Sequence, residues 1–340
     1  MAELFSNFWF QLVLKLVIVA GLIPAVGMVI GFAEMKLSAK MQRRVGPYFA
    51  GGRFGWAQLI ADGVKFFQKE DLIPADADRP VFKWAPVLVL VSTVAILVPI
   101  PLGPDLVGRH LDLGIFYALA VSSISTIGVL MAGWSSANKY SLIGGLRAAG
   151  QLIAYELPLV LAVVGVVMLA GTMSLNGIVQ AQASWFSETG WTFGLPFIVV
   201  QFVGFAVFMI ASLAELSRTP FDMPFAESEL VFGYVTEYSG FRFLFFFLAE
   251  FANMFSLAAI AATLFLGGYW LPGLPESQLN LIGPVVLFAK IGILVFAMIW
   301  FRWTFPRFRE DQLQGLAWKW LIPISLANIL ATAALKVIAQ

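Results

Sequence analysis

The sequence predicts an all-α, polytopic membrane protein with about eight transmembrane helices and an amphipathic helix in the first cytoplasmic loop. Three observations carry this. The 340 residues are 60% hydrophobic and only 12% charged, against about 25% charged in soluble domains, and mean hydropathy is +0.87. The apolar runs reach the ~20 residues that cross a bilayer core as a helix. They are too long and too unalternating for barrel strands, and open sheet leaves its edge groups unpaired in lipid.

Eight spans follow, at about 9–33, 82–100, 113–133, 150–171, 193–214, 242–270, 281–303 and 317–337. Residues 1–340 read as a single membrane domain. The first run lacks a basic leader and is long enough to span, so it is expected to be a retained helix, not a cleaved signal. Of the 21 Lys and Arg, 17 cluster in and beside the loops after spans one, three, five and seven, and the opposite loops hold only Arg109. The positive-inside rule puts the basic loops in the cytoplasm and both termini on the other side. The same loops carry most of the acids, a two-sign face suited to docking peripheral subunits or simply to solvation.

The chain has no Cys, and His110 is its only His. Thiolate-ligated iron–sulfur centres, bis-His haem and Cys/His zinc sites are therefore excluded, and no metal site is expected. No phosphate-binding glycine motif is present. A net charge of +1 points to no nucleic-acid partner.

In chain order, loop one opens with Lys36, Lys40, Arg43 and Arg44, which composition alone reads as membrane-edge anchoring. After the breakers Gly46-Pro47 and Gly51-Gly52, the segment RFGWAQLIADGVKFFQKED places Gln58, Asp62, Lys65 and Lys69 at helical spacing on one narrow polar stripe. The remaining face is aromatic and aliphatic, so this helix lies at the membrane boundary or packs on other helices. Asp62 and Lys65 either form a structural ion pair or line a cavity for a polar headgroup. In the fourth span, Glu156 sits two residues before Pro158, which removes a backbone donor and loosens the helix near the acid.

The stretch from Leu213 to Glu250 concentrates the chemistry. It holds Glu215, Asp222, Glu227, Glu229, Glu237 and Glu250 but only Arg218 and Arg242 as cations. Pro220 and Pro224 forbid a continuous helix there. Glu215 closes the fifth span and Glu250 lies well inside the sixth. Ionisable groups at such depth are costly unless they line water, protein or a proton path. Lys290 in the seventh span is the basic counterpart. Arg302, Arg307, Arg309, Glu310 and Asp311 read as a membrane-edge cluster, and LPGLPESQ and QAQASWFSETGW as plain loops. Carboxylates at stepped depths exchange protons through water, so Glu227 and Glu229, then Glu215, then Glu156 and Glu250 form a candidate relay. Three readings remain open at this point: a proton-coupled transporter, a quinone-binding subunit of an electron-transfer machine, or a membrane anchor.

The runs GWSSANKYSLIGGLRAAGQLIAYELPL, RTPFDMPFAESELVFGYVTEYSG and PRFREDQLQGLAWKWLIPISL, with MQRRVGP and IADGVKFFQKED in loop one, closely resemble the H-type membrane subunits of proton-pumping NADH:quinone oxidoreductase, respiratory complex I. The resemblance covers essentially the whole chain, in order. It implies an eight-helix subunit at the joint of the peripheral and membrane arms, in a bacterial plasma (inner) membrane. It implies a quinone cavity coupled to proton translocation, with quinone as substrate. Iron–sulfur clusters, FMN and NADH belong to partner subunits, and this chain binds no cofactor alone. The expected partners are peripheral-arm subunits on the cytoplasmic face, other membrane-arm subunits and the lipid bilayer. Carried over by motif, Glu156, Glu215, Glu227, Glu229 and Glu250 match the glutamate path. Lys36, Arg43, Asp62, Lys65, Arg218 and Asp222 match the polar wall and loops of the quinone cavity. Met35, Tyr48, Phe225 and Glu310 depart from residues common in the family. Related subunits serve ferredoxin-, deazaflavin- and hydrogenase-linked complexes, and a stand-alone proton-coupled transporter is the reading from a different class.

Overall fold

A computed structural model describes residues 8–184, 194–225, 227–272 and 278–339. Its helices in chain order are α1 (Phe8–Met41), α2 (Gln58–Gln68), α3 (Arg79–Ile96), α4 (Gly114–Ser135), α5 (Lys139–Ala170), α6 (Leu175–Ser184), α7 (Phe202–Glu215), α8 (Gly240–Phe265), α9 (Leu279–Thr304), α10 (Glu310–Leu316) and α11 (Ile322–Ala339). A π-helical turn, Ala317–Leu321, joins the last two. Among the described residues, seven helices are long and apolar enough to cross a membrane, α10 and α11 counting as one.

The fifth expected span is different. α7 has only 14 residues, about 21 Å at ~1.5 Å per residue, short of a ~30 Å core. Residues 194–201 approach it as turns, not helix. Three further expectations are corrected. α1 runs on to Met41, eight residues past its expected end, because nothing breaks the helix before Gly46-Pro47. α5 begins at Lys139, eleven residues early: Asn138 caps it by accepting from the Tyr140 N–H at 2.9 Å. The early turns then lie against α4, where a Cβ on Gly145 would stand 3.1 Å from the Gly133 Cα. The mixed polar and apolar run at 175–184 forms the helix α6 where a loop was expected, while residues 185–193 and 273–277 of the two expected loops lie outside the described residues. α5 continues through Pro158 without a break.

Packing is dominated by one buried cluster that runs through α1, α3–α9 and the segment after α7. α8 is its axis, with Met254, Leu257, Ala258, Ala261 and Ala262 almost wholly enclosed. α11 is held to the bundle by polar contacts. Gln201 Nε2 donates to Thr332 Oγ1 (2.6 Å), and Asn328 Nδ2 donates to Gln201 Oε1 (2.7 Å). Such bonds are favoured where the alternative is an unpaired group in hydrocarbon.

Where α7 stops decides the architecture of the site. The chain after Glu215 does not leave the bundle. Leu216, Arg218, Phe221 and Met223 are all buried, and Arg218 meets Glu250, ten residues from the start of α8 and therefore about 15 Å along it. Irregular backbone at that depth persists only where protein satisfies it. Gln151 of α5 does so, donating Nε2 to the carbonyls of Ala214 (2.7 Å) and Phe221 (2.6 Å). The Phe308 N–H donates to the Pro220 carbonyl at 3.0 Å.

Candidate functional site

Four charges from four elements meet inside the bundle. Arg218, on the buried loop, places Nη1 2.5 Å from Glu34 Oε2 of α1 and Nη2 3.0 Å from Glu250 Oε1 of α8. Arg302 of α9 donates to the other Glu34 oxygen. The Arg218 guanidinium also lies 4.9 Å from the Phe251 ring centre, a cation–π contact. Two cations balance two anions. A buried charge set of this kind holds together because removing one member leaves its partner uncompensated.

This ladder forms part of the wall of a cavity of about 330 Å³. Asp222, Phe225, Phe232, Tyr234, Phe243, Phe246, Phe247 and Trp303 complete much of it. Its aromatic side is itself tightly packed: Phe225 and Tyr234 have ring centres 5.2 Å apart, and Tyr234 meets Phe246 edge-on at 5.6 Å. Flat apolar walls with a few convergent charged groups are the usual make-up of a site for a planar organic ligand. The amphipathic helix attaches here from outside. Phe66 of α2 stacks on Phe243 at 5.5 Å, and Leu59 packs against α1 at Gly31.

A second, smaller cavity of about 60 Å³ adjoins the first. Ser217, Phe225, Tyr234, Phe246 and Glu250 belong to both. Glu215, Asn253, Thr93 and Ser125 line only the small one. Glu250 thus faces the large cavity on one side and the space beside Glu215 on the other. Glu156 of α5 is half-buried and lines neither of these two cavities.

The other expected site residues are distributed differently. Arg218 and Asp222 line the large cavity. Lys36 sits on α1, donates to the Pro47 carbonyl and lies 5.6 Å from the Phe32 ring centre. Arg43 is exposed just past α1 with φ 54. Asp62 is held within α2, taking both Gln58 Nε2 contacts at 3.3 Å and Lys65 at 3.5 Å. Glu229 sits apart from the buried acids, half-exposed, 2.7 Å from Arg147 and 3.3 Å from Arg307. The hydrogen bond from Arg147 holds its carboxyl below the ordinary carboxylate range. The side chain of Glu227 lies outside the described residues.

Glu34, Arg302, Tyr234 and Asn253 were not among the residues expected from sequence. Glu34 follows directly on the first apolar run, and Arg302 closes the seventh. Arg302 reads from sequence as part of a membrane-edge cluster, and Glu34 carries no role there. The available signal was the lack of any breaker between Glu34 and Gly46, which carries α1 past Glu34 and leaves that acid inside a helix.

Fold and site together define a polytopic helical membrane protein whose aromatic cavity ends on a buried ion-pair ladder. Residues 14–333 match the sequence model of a family described as NADH dehydrogenase. The chain is 50% identical over 305 residues, 89% of its length, to the H subunit of NADH-quinone oxidoreductase from Bacillus thuringiensis subsp. konkukian strain 97-27, covering 87% of that protein. Proteins of the same name from Bacillus cereus strain Q1 and Bacillus anthracis strain A0248 match to the same extent. The chain belongs to the NADH dehydrogenase family, in the branch of these H-type subunits.

Proposed function

We propose that this chain, as a membrane subunit of NADH-quinone oxidoreductase, forms the quinone cavity and passes the effect of quinone reduction to protons. The observation that carries the reading is the position of Glu250. It borders the aromatic cavity and also the small space that reaches Glu215.

Reducing a quinone to a quinol takes up two electrons and two protons. The electrons come from partner subunits, which hold the iron–sulfur clusters, FMN and NADH. The residues here supply a site: aromatic walls to sandwich the ring, Asp222 and Arg218 as polar groups beside it, and the ladder to set the local charge. A change in charge in the cavity alters the balance at Glu250, because Arg218 is shared between Glu250 and Glu34. Coupled carboxylates then redistribute protons toward Glu215 and Glu156. Lys36, Arg43, Asp62 and Lys65 form the outer approach to the cavity. Glu227 and Glu229 form the proton path's outer end, with Glu229 docked to Arg147 and Arg307. The basic loops face the cytoplasm and the peripheral subunits, both termini face the other side, and the membrane is the bacterial plasma membrane.

The test uses the assembled complex. Glu215→Gln and Glu250→Gln are each expected to lower quinone-linked NADH oxidation and proton pumping at least tenfold. Oxidation of NADH with a water-soluble artificial acceptor should stay unchanged. Normal quinone turnover and pumping in both variants overturns the proposal.

A further inference from the structure

We infer that the small cavity is a water-binding site seated on Asn253, and that this residue orients a short hydrogen-bonded chain between Glu250 and Glu215. The inference rests on the proton-path reading and adds a residue and a ligand to it.

Three observations carry it. First, Asn253 Oδ1 is fully enclosed and accepts no hydrogen bond from the described residues. Buried amide oxygens almost always find a donor, from protein or from ordered water. Asn253 lies three residues after Glu250 on α8, so both project from one face of the helix toward the same space. Second, the space is large enough. A single water needs about 10–15 Å³, and the cavity offers about 60 Å³. That leaves room for more than one molecule.

Third, the polar lining is rich in acceptors. Thr93 Oγ1 already donates to the Val89 carbonyl at 2.9 Å, and Ser125 Oγ to the Ser122 carbonyl at 2.7 Å. Their protons are committed to their own helices, so toward the cavity these oxygens present lone pairs. The carboxylates of Glu215 and Glu250 add acceptors. A small occupant that brings its own donors suits this wall, and water brings two per molecule. The geometry makes Asn253 a positioning residue: it touches the proton-carrying water and is not itself titrated.

The test compares Asn253→Leu, of similar bulk without an acceptor, with Asn253→Ser, which keeps an oxygen. Both are measured in the assembled complex, with Glu215→Gln and Glu250→Gln alongside. Asn253→Leu is expected to cut quinone-linked turnover at least tenfold with the KM for quinone unchanged. Asn253→Ser is expected to restore a major part of the rate. If the two Glu variants lose activity while Asn253→Leu turns over and pumps like wild type, the water seat is overturned and the carboxylate path stands. If the Glu variants are also normal, the path itself fails. Should Asn253→Leu not assemble, an experimental map of the wild-type complex that orders internal waters decides. Density within hydrogen-bond distance of Asn253 Oδ1 supports the inference, and its absence there, with waters resolved elsewhere in the bundle, overturns it.

Discussion

At the scale of single residues, the site depends on which charges share a partner. Arg218 is enclosed and serves Glu34 and Glu250 at once. Replacing it with Met strips Glu250 of its cation and leaves Glu34 with Arg302 alone. Breaking a buried pair in this way costs about 3–5 kcal/mol, so Arg218→Met is expected to lower the yield and thermal midpoint of the complex sharply. Arg218→Lys keeps the charge but loses the two-pronged reach, and should fall between. Glu229 is the opposite case. It is half-exposed, so its pairs with Arg147 and Arg307 are screened, and Glu229→Gln should cost under about 1 kcal/mol at neutral pH. Its carboxyl is lowered in the folded state. The stabilisation is therefore complete above the ordinary carboxylate value and is lost as pH falls through the lowered one. Unfolding measured against pH should show wild type and Glu229→Gln converging only in acid. Depth within an apolar run made Glu250 legible in the sequence, and the concentration of acids that follows made Glu215 so. Neither revealed Glu34 or Arg302, because a charge at the end of a span looks like an anchor until its partner is known. For Glu34 that partner, Arg218, is 184 residues away along the chain.

At the scale of elements, two turns control the surroundings of the cavity. Gly233 has φ +58, and a Cβ there would stand 1.8 Å from the Pro224 carbonyl oxygen. Both the left-handed backbone and the contact exclude a side chain. Gly233→Ala should displace the turn that carries Tyr234 and Val235 into the cavity wall, and it is expected to abolish assembly or bound-quinone retention, read by quinone content of the purified complex. On the far side, Lys290 Nζ donates to the carbonyls of Leu266 (2.6 Å), Gly268 (2.8 Å) and Trp270 (2.6 Å). The seventh-span cation is thus committed to the turn that ends α8 and, among the described residues, pairs with no acid. Lys290→Met frees three carbonyls, each costing about 1–3 kcal/mol if left unpaired, and should reduce thermal stability more than any change at Glu229. Element existence was well signalled by the length of the apolar runs. The end of α7 was not, because counting ~20 residues per crossing presumes a helix that reaches both surfaces. Pro220 and Pro224 announced a break, but only the tertiary contacts of Gln151 and Arg218 show that the broken chain stays inside.

At the scale of the whole molecule, the asymmetry of Lys and Arg predicts an orientation that is open to direct test. The chain contains no Cys, so single cysteines report without background. His110→Cys, exposed in the loop between α3 and α4, should react with an impermeant maleimide in right-side-out vesicles. Gln42→Cys, exposed just past α1, should react only in inverted ones. The reverse pattern would overturn the assignment. The early end of α7 has an electrical consequence at this scale. α7, counting Glu215, is only 14 residues long, about 21 Å, where an undisturbed hydrocarbon layer is about 30 Å. Buried non-helical chain completes the crossing at both ends, with Phe197 and Gln201 before α7 and Leu216, Arg218 and Phe221 after it. A transmembrane voltage therefore acts on the Arg218 charge and on the peptide dipoles of these segments, and not on helix backbone alone.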